Sequence, residues 1–204
     1  TPEEKKGLSK HYTENVDAYK FYIIGRTFWN ARNRANFDSA EVYFKKAIQL
    51  DPQFALAYAG IADCYTFNYK GMSQLEAMPI AKAYTNQALS IDSNLSEGLT
   101  TLGFIQQNFD YNWTESKKTL EKALKLNPNN PLAHLYYGNV LLFTGETEKG
   151  LKETEKSVEL DPLAFGANFV LGRNYYLAKK YDLAIKQLEK LKTIAPKNND
   201  VPFW

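Results

Sequence analysis

The chain has 204 residues, 44% of them apolar, which is typical of a folded protein rather than a disordered one. Its 25 lysine and arginine residues nearly balance 23 aspartate and glutamate residues, so no attraction to nucleic acid or to an anionic membrane surface is indicated. The single cysteine, Cys64, excludes an internal disulfide and a cluster of thiolate metal ligands.

Residues 1–16 are polar and lack the apolar core of a signal peptide, so we interpret them as an N-terminal extension or linker. They also lack an initiator methionine, and we therefore expect the chain to be a processed or excised piece of a longer protein. No run of about eighteen apolar residues occurs, so we expect no membrane span within this sequence. We expect a cytoplasmic location, which the lone cysteine fits.

One phrase recurs along the chain, as "KAIQLDP" at 46–52, "KALKLNP" at 122–128 and "KSVELDP" at 156–162. Pro128, Pro162 and Pro196 are 34 residues apart, and Ser93 takes the place of the proline between Pro52 and Pro128. A fixed period of this length predicts stacked structural repeats. The five predicted units are 17–53, 54–94, 95–130, 131–164 and 165–198.

Each unit is predicted to form two helices, because apolar residues recur at helical spacing on both sides of a break. In the first unit a long turn, "NARNRANFDSA", separates them, and in the second a loop of about a dozen residues, "NYKGMSQLEAMP". In the fourth unit "TGET" makes the break, and in the fifth "KKYD" does so. Alternation with a period of two residues never lasts, so no strand is predicted.

The repeated Asp-Pro or Asn-Pro dipeptide is predicted to stop one helix and start the next. Proline cannot continue the helix before it. The side chains of Asp51, Asn127 and Asp161 are predicted to cap the following helix, with proline at its first position.

Glycines recur in the middle of three first helices, at Gly103, Gly138 and Gly172. Glycine at a helical position costs about 1 kcal/mol relative to alanine. Its regular recurrence therefore predicts that another helix approaches closely at these points.

A 34-residue helix–turn–helix with an aliphatic-Gly pair, a later aromatic residue and a closing proline resembles the tetratricopeptide repeat, and "VLGRNYYLAKKYDLAIKQLEKLKTIAP" (170–196) is nearly a whole unit. The resemblance implies an all-α, right-handed superhelical solenoid of five repeats and about ten helices. It implies a non-catalytic protein–protein interaction module that binds a peptide or protein in a concave groove. A homodimer is also possible on this reading.

A second resemblance concerns "YTENVDAYKFYIIGRTFWNAR" (12–32) and "ALAYAGIADCY" (55–65). These segments look like the opening of tetratricopeptide regions in bacterial signalling proteins, where the repeats follow a winged-helix domain, a nucleotide cyclase or a protein kinase. The resemblance implies an alternative function, as the regulatory or sensory arm of such a protein with its output domain upstream.

In that family the groove is lined by the first helix of each unit, and the motif places candidate groove residues here. Each of them can equally be a packing residue between repeats. The candidates are Arg26, Trp29, Asn30, Asp63, Thr66, Phe67, Phe104, Gln107, Asn108, Tyr136, Asn139, Phe143, Arg173 and Tyr176.

These candidates suit an extended peptide, because asparagine and glutamine side chains both donate to and accept from a peptide backbone. Arg173 could hold a carboxylate bidentately, and Phe104, Phe143 and Tyr176 could form apolar pockets. The family's clamp for chaperone tails needs lysines that are absent beside Asn139 and Arg173, which argues against a chaperone-tail receptor.

No nucleotide-binding, zinc-protease or serine-hydrolase motif occurs, so no enzyme and no cofactor or metal site is predicted. His11 and His134 lack partners at metal-ligand spacing, and His134 and Cys64 are expected to be packing residues. Glu153 and Glu155 are expected to be solvated, with Lys149, Lys152 and Lys156 as neighbours on the helix.

Residues 199–204, "NDVPFW", are either a tail that covers the last helix or the start of a truncated sixth repeat. We expect the apolar face of the helix at 181–194 to be partly exposed in this chain, or covered by a neighbouring molecule.

Overall fold

The computed structural model describes residues 12–30, 34–66 and 72–194. The described residues form ten α-helices and contain no β-strand, which confirms the predicted all-α fold. The helices are α1 (Val16–Asn30), α2 (Arg34–Leu50), α3 (Ala55–Thr66), α4 (Gln74–Ile91), α5 (Ser96–Asn108), α6 (Trp113–Leu126), α7 (Pro131–Phe143), α8 (Thr147–Leu160), α9 (Phe165–Leu177) and α10 (Tyr181–Ile194).

Consecutive helices pair as five hairpins, and each predicted unit holds one of them. We call the odd-numbered helices first helices and the even-numbered ones second helices. Each first helix packs on the second helix of its own hairpin, and α3, α5 and α9 also pack on the second helix that precedes them. First helices touch one another as well, α1 with α3, α3 with α5, and α7 with α9.

The chain divides into two compact units, residues 1–128 and residues 129–204. The first unit contains α1 to α6, with Phe44, Phe54 and Ile61 fully buried in its core. The second unit contains α7 to α10, with Val140 and Leu151 buried. Each unit therefore has an apolar core of its own.

The predicted capping role of the Asp-Pro dipeptide is wrong, although the helix does end there. Asp51, Asn127 and Asp161 are the residues just after a second helix, and their N–H groups donate to the carbonyls of Ala47, Ala123 and Ser157 at 2.9–3.0 Å. The next helix begins four residues later, because the chain first makes a turn in which the N–H of Phe54 donates to the Asp51 carbonyl at 3.1 Å. For α7 the cap is Asn130, whose side chain accepts from Leu132 and Ala133.

Two predicted loops are shorter than expected. Helix α2 begins at Arg34 and α4 begins at Gln74, both inside segments predicted as loop. Ser73 explains the early start of α4, because its side chain accepts from the Glu76 N–H at 3.3 Å while Glu76 accepts from the Ser73 N–H at 2.8 Å. This reciprocal capping box lets the helix form ahead of Pro79.

The predicted close approach at the recurring glycines is confirmed. A Cβ at Gly138 in α7 would lie 2.5 Å from Thr154 Oγ1 and 2.7 Å from the Gly150 carbonyl oxygen, both in α8. At Gly103 it would lie 2.5 Å from Leu120 Cγ. In the third and fourth repeats the first helix therefore approaches the second helix of its own hairpin so closely at the glycine that no side chain fits between them.

We expect Gly138→Ala to destabilise the protein. The added methyl meets backbone atoms of α8 that cannot rotate away, and overpacking of this kind costs about 1–3 kcal/mol, more than the roughly 1 kcal/mol that alanine gains in a helix. Gly166→Ala is the matched control, because a Cβ there meets nothing within 4 Å. Urea unfolding followed by circular dichroism should show a lower midpoint for Gly138→Ala and an unchanged or higher one for Gly166→Ala.

Candidate functional site

In the first unit the predicted groove residues meet on neighbouring first helices. Arg26 of α1 donates through Nη1 to Asp63 Oδ2 of α3 at 3.0 Å, and the guanidinium lies 4.3 Å from the ring centre of Trp29. Thr101 of α5 donates to Asp63 Oδ1 at 2.7 Å. One carboxylate thus joins three first helices.

This ion pair sits in a partly enclosed setting, with the Arg26 side chain 28% exposed and Asp63 13% exposed. Burial acts to lower the pKa of Arg26, but Tyr22 and Asp63 outweigh it, and the pKa is raised. Burial also raises the pKa of Tyr22, against the effect of Arg26. The charge of Arg26 is therefore compensated within the fold.

The other candidates of the first unit differ in exposure. Asn30 is exposed, while Thr66 is buried and donates to the Asp63 carbonyl oxygen at 2.9 Å. On α5, Gln107 is buried and its Oε1 has no hydrogen-bond partner in the described residues, and Asn108 donates to the Phe104 carbonyl at 3.0 Å. Phe67 lies outside the described residues.

In the second unit the predicted residues Asn139 and Arg173 also come together. Arg173 of α9 donates through Nη2 to Asn139 Oδ1 of α7 at 2.9 Å, and through Nε and Nη2 to Asn174 Oδ1 at 3.3 and 3.1 Å. The Asn174 amide in turn donates to Asn139 Oδ1 at 3.0 Å and to Thr154 Oγ1 at 3.1 Å. The guanidinium is therefore held by two amide oxygens.

Arg173 carries a positive charge that nothing in the described residues neutralises. No carboxylate among them forms an ion pair with it, and its Nη1 makes no hydrogen bond to any of them. Burial lowers its pKa, the reverse of the net effect at Arg26. Both arginines bond to a residue about one repeat away in the sequence. Arg26 bonds to the carboxylate of Asp63, 37 residues later, whereas Arg173 bonds to the amide of Asn139, 34 residues earlier.

One aromatic ring lies near this arginine, because the guanidinium lies 5.7 Å from the ring centre of Phe143. Tyr176, three residues after Arg173 on α9, is exposed as Phe143 is, and its ring centre lies 5.7 Å from that of Tyr181. The predicted Tyr136, by contrast, is buried. We call the set Asn139, Phe143, Arg173 and Tyr176 the Arg173 surface.

Three residues that complete the two networks, Thr101, Asn174 and Thr154, were not predicted from the sequence. Asn174 follows Arg173 directly, and successive side chains on an α-helix point about 100° apart, so no motif links the two. Eight residues before the proline, where α8 has Thr154, three second helices carry the apolar Phe44, Leu120 and Leu188, but α4 carries Thr85, so a polar residue at this position did not single out Thr154.

Histidine and carboxylate residues elsewhere in the second unit make structural pairs. His134 Nδ1 lies 2.6 Å from Glu153 Oε2, with both side chains mostly buried. Tyr175 donates to Glu155 at 2.9 Å, and burial, with help from Glu155, raises the pKa of Tyr175 to about 12. The expectation that both glutamates pair only with lysines and solvent is therefore wrong.

Across residues 12–30, 34–66 and 72–194 no group of three potential metal ligands occurs, and none of the helices there could cross a membrane. Cys64 is a buried thiol, as expected of a packing residue.

Comparison with known proteins agrees with the fold. Family models of the tetratricopeptide repeat match residues 22–54, 119–152 and 165–198. The chain is 26% identical over 158 residues to anaphase-promoting complex subunit 3 of Schizosaccharomyces pombe, covering 78% of this chain but 23% of that protein.

Solved structures are similar at low sequence identity. A thermophilic TPR protein of Thermus thermophilus is 18% identical, with a TM-score of 0.67 over 90% of this chain and 94% of that one. YrrB, described as a TPR protein with an unusual peptide-binding site, is 21% identical with a TM-score of 0.50, over 97% of this chain and 94% of that one. This chain is an all-α protein with the tetratricopeptide solenoid fold, and it contains tetratricopeptide repeats at the three matched segments.

Proposed function

We propose that the chain is a non-catalytic interaction module that binds a peptide or protein through the exposed side of its first helices, with the Arg173 surface as the anchor. The fold supports the general function, because stacked helical repeats present extended surfaces that bind proteins. No catalytic motif or metal cluster competes with this reading in the described residues. We expect the module to act in the cytoplasm.

The charge at Arg173 is the observation that carries the proposal. An arginine side chain that is half buried without a carboxylate partner has already lost much of its hydration, so an incoming anion recovers interaction energy at little further cost. Phe143 and Tyr176 add exposed apolar area beside it. Arginine and tyrosine are among the residues that most often dominate binding energy at protein interfaces.

The ligand chemistry that fits is a carboxylate on an extended peptide, either an acidic side chain or a free C-terminus. Arg173 Nη1 is available to donate, and Asn139 offers an amide beside it that can bond a peptide group. The exposed rings of Phe143 and Tyr176 would then cover an apolar side chain of the peptide next to its carboxylate.

The named similar proteins are consistent with this reading. YrrB has a peptide-binding site by description, and the yeast protein is a subunit of a multiprotein complex by name. We extend to this chain only the general role of binding proteins, and the ligand is argued from its own residues.

An alternative is that the module is the regulatory arm of a bacterial signalling protein with a cyclase, kinase or winged-helix output domain. It rests on the resemblance of residues 12–32 and 55–65 to such proteins. The gene sequence upstream of Thr1 tests it, and an unrelated upstream sequence would count against it.

We expect Arg173→Ala to abolish selection of acidic peptides. Peptides of random sequence with free C-termini are selected on the purified chain, and the enriched sequences are titrated by fluorescence anisotropy. Loss of a charge-assisted hydrogen bond should weaken binding about tenfold or more. Lys152→Ala, which removes an exposed positive charge from α8, is the matched control and should bind as the wild type does.

Enriched peptides that bind Arg173→Ala as tightly as the wild type would disprove the Arg173 anchor. If the peptides bind Arg173→Ala and the wild type equally but no longer bind once Phe143 and Tyr176 are replaced, the chain is still an interaction module, but its anchor is the aromatic pair. No enrichment over an unrelated control protein would count against peptide binding altogether.

We expect Asn139→Asp to stabilise the protein and at the same time weaken acidic-peptide binding. The new carboxylate supplies Arg173 with the partner that Asp63 supplies to Arg26, and partly exposed pairs contribute up to about 1 kcal/mol. Arg173 would lower the pKa of the new aspartate, so the gain is present above about pH 4 and is lost as the pH falls below it. Thermal unfolding at neutral pH and in acid measures the difference.

The opposite change, Asp63→Asn, provides the reciprocal control. It leaves Arg26 with an amide and should destabilise the first unit while leaving peptide binding at the Arg173 surface unchanged. Equal unfolding temperatures for Asn139→Asp and the wild type at neutral pH would show that Arg173 is already compensated.

A further inference from the structure

Helix α1 exposes an apolar face along most of its length. Val16, Tyr19, Ile23 and Ile24 are 67%, 47%, 44% and 37% exposed, and they recur at the spacing of one helix face. The ion pair of Lys20 with Asp17, at 2.9 Å, is a local contact within α1. Among the described residues, the face therefore has no apolar cover.

The corresponding face of α3 packs on the second helix that precedes it, which indicates that a second helix would cover the exposed face of α1. Residues 37 positions later than Ile23 and Ile24 are Gly60 and Ile61. Ile61 is fully buried, and a Cβ at Gly60 would lie 2.7 Å from Phe44 Cζ of α2. The exposed face of α1 is thus the face that, in α3, packs on the preceding second helix.

Helix α10 is a second helix whose corresponding face, the one that packs on the next first helix, is exposed. Glu41, Leu151 and Ile185 each stand eleven residues before the proline of their repeat. Glu41 of α2 accepts from the Tyr65 hydroxyl of α3 at 3.0 Å, so this position faces the next first helix. Leu151 is 1% exposed, whereas Ile185 is 58% exposed. This also agrees with the expectation that the last helix is partly exposed.

The charges at the two faces are complementary. Short connections such as residues 51–54 place the end of a second helix beside the start of the next first helix. The exposed charges at the end of α10 are Glu189, Lys190 and Lys192, with one positive charge in excess, and those at the start of α1 are Glu14, Asp17 and Lys20, with one negative charge in excess. In a junction of this kind these opposite net charges would lie beside each other.

We infer that the occupant of the α1 face is the α10 face of a second copy of this chain. Such a contact is head-to-tail, and because it uses different surfaces on the two copies it leaves one α1 face and one α10 face free for further copies. The inference does not use the Arg173 surface and goes beyond the proposed function.

Two variants test the geometry, each with a charge in the middle of one face. Ile23→Asp blocks the α1 face and Ile185→Asp blocks the α10 face. Sedimentation velocity of the wild-type chain should show a mass that rises with concentration past that of a dimer, less so at high salt. Each variant alone should be monomeric, but an equimolar mixture should form a one-to-one dimer, because one free face of each kind remains.

Leu75→Asp is the matched control, since Leu75 is exposed on α4 and belongs to neither face, and it should associate like the wild type. Circular dichroism shows whether each variant keeps its helices, and both blocked residues are exposed, so we expect it does. A wild-type chain that stays monomeric at millimolar concentration overturns the inference. So does a dimer that survives in Ile185→Asp, which would mean that two α1 faces meet each other.

Discussion

In each of the two compact units, one side chain in the middle of a second helix contacts two hairpins, and the packing of these hairpins depends on it. In the first unit this side chain is Phe44. A Cβ added at Gly25 of its own hairpin, or at Gly60 of the next hairpin, would lie 2.6–2.9 Å from atoms of the Phe44 ring. In the second unit it is Thr154, eight residues before its proline as Phe44 is. Thr154 packs on Gly138 and accepts from Asn174 of the next hairpin. Because one side chain contacts both neighbours, the hairpins pack at fixed spacing.

Once these faces are packed, the remaining side of each first helix is free to carry polar residues. The first unit uses it internally, since Arg26, Asp63 and Thr101 bond one another across three helices. The second unit places Arg173 at the same position of its repeat, but its neighbour is Asn139. A carboxylate replaced by an amide changes a neutral contact between helices into a positively charged surface, with little change in shape.

The repeat period predicted the helices, their pairing and the close approach at Gly103 and Gly138, because those features follow from packing that every repeat must satisfy. The start of each helix was predicted less well. Asp51 and Asp161 look like caps in the sequence, but the proline and the two residues after it form a turn before the next helix begins. Asn139 and Arg173 were predicted as site residues from the repeat register. Asn174 and Thr101 were not, because their roles depend on the rotation of neighbouring helices, which no local motif encodes.

In a stacked-repeat protein each hairpin interacts chiefly with its neighbours, so a change at one position has mostly local effects. A repeat can therefore leave an arginine without a carboxylate partner while the glycine and second-helix contacts beside it continue to hold the hairpin. Gly172 is an example, because it packs on Leu188 of α10, while the next residue, Arg173, is partly exposed and donates to Asn139 of α7. Adjacent residues on one helix thus serve the scaffold and the surface separately, and the side chain at position 173 can change without disturbing the glycine packing that positions it.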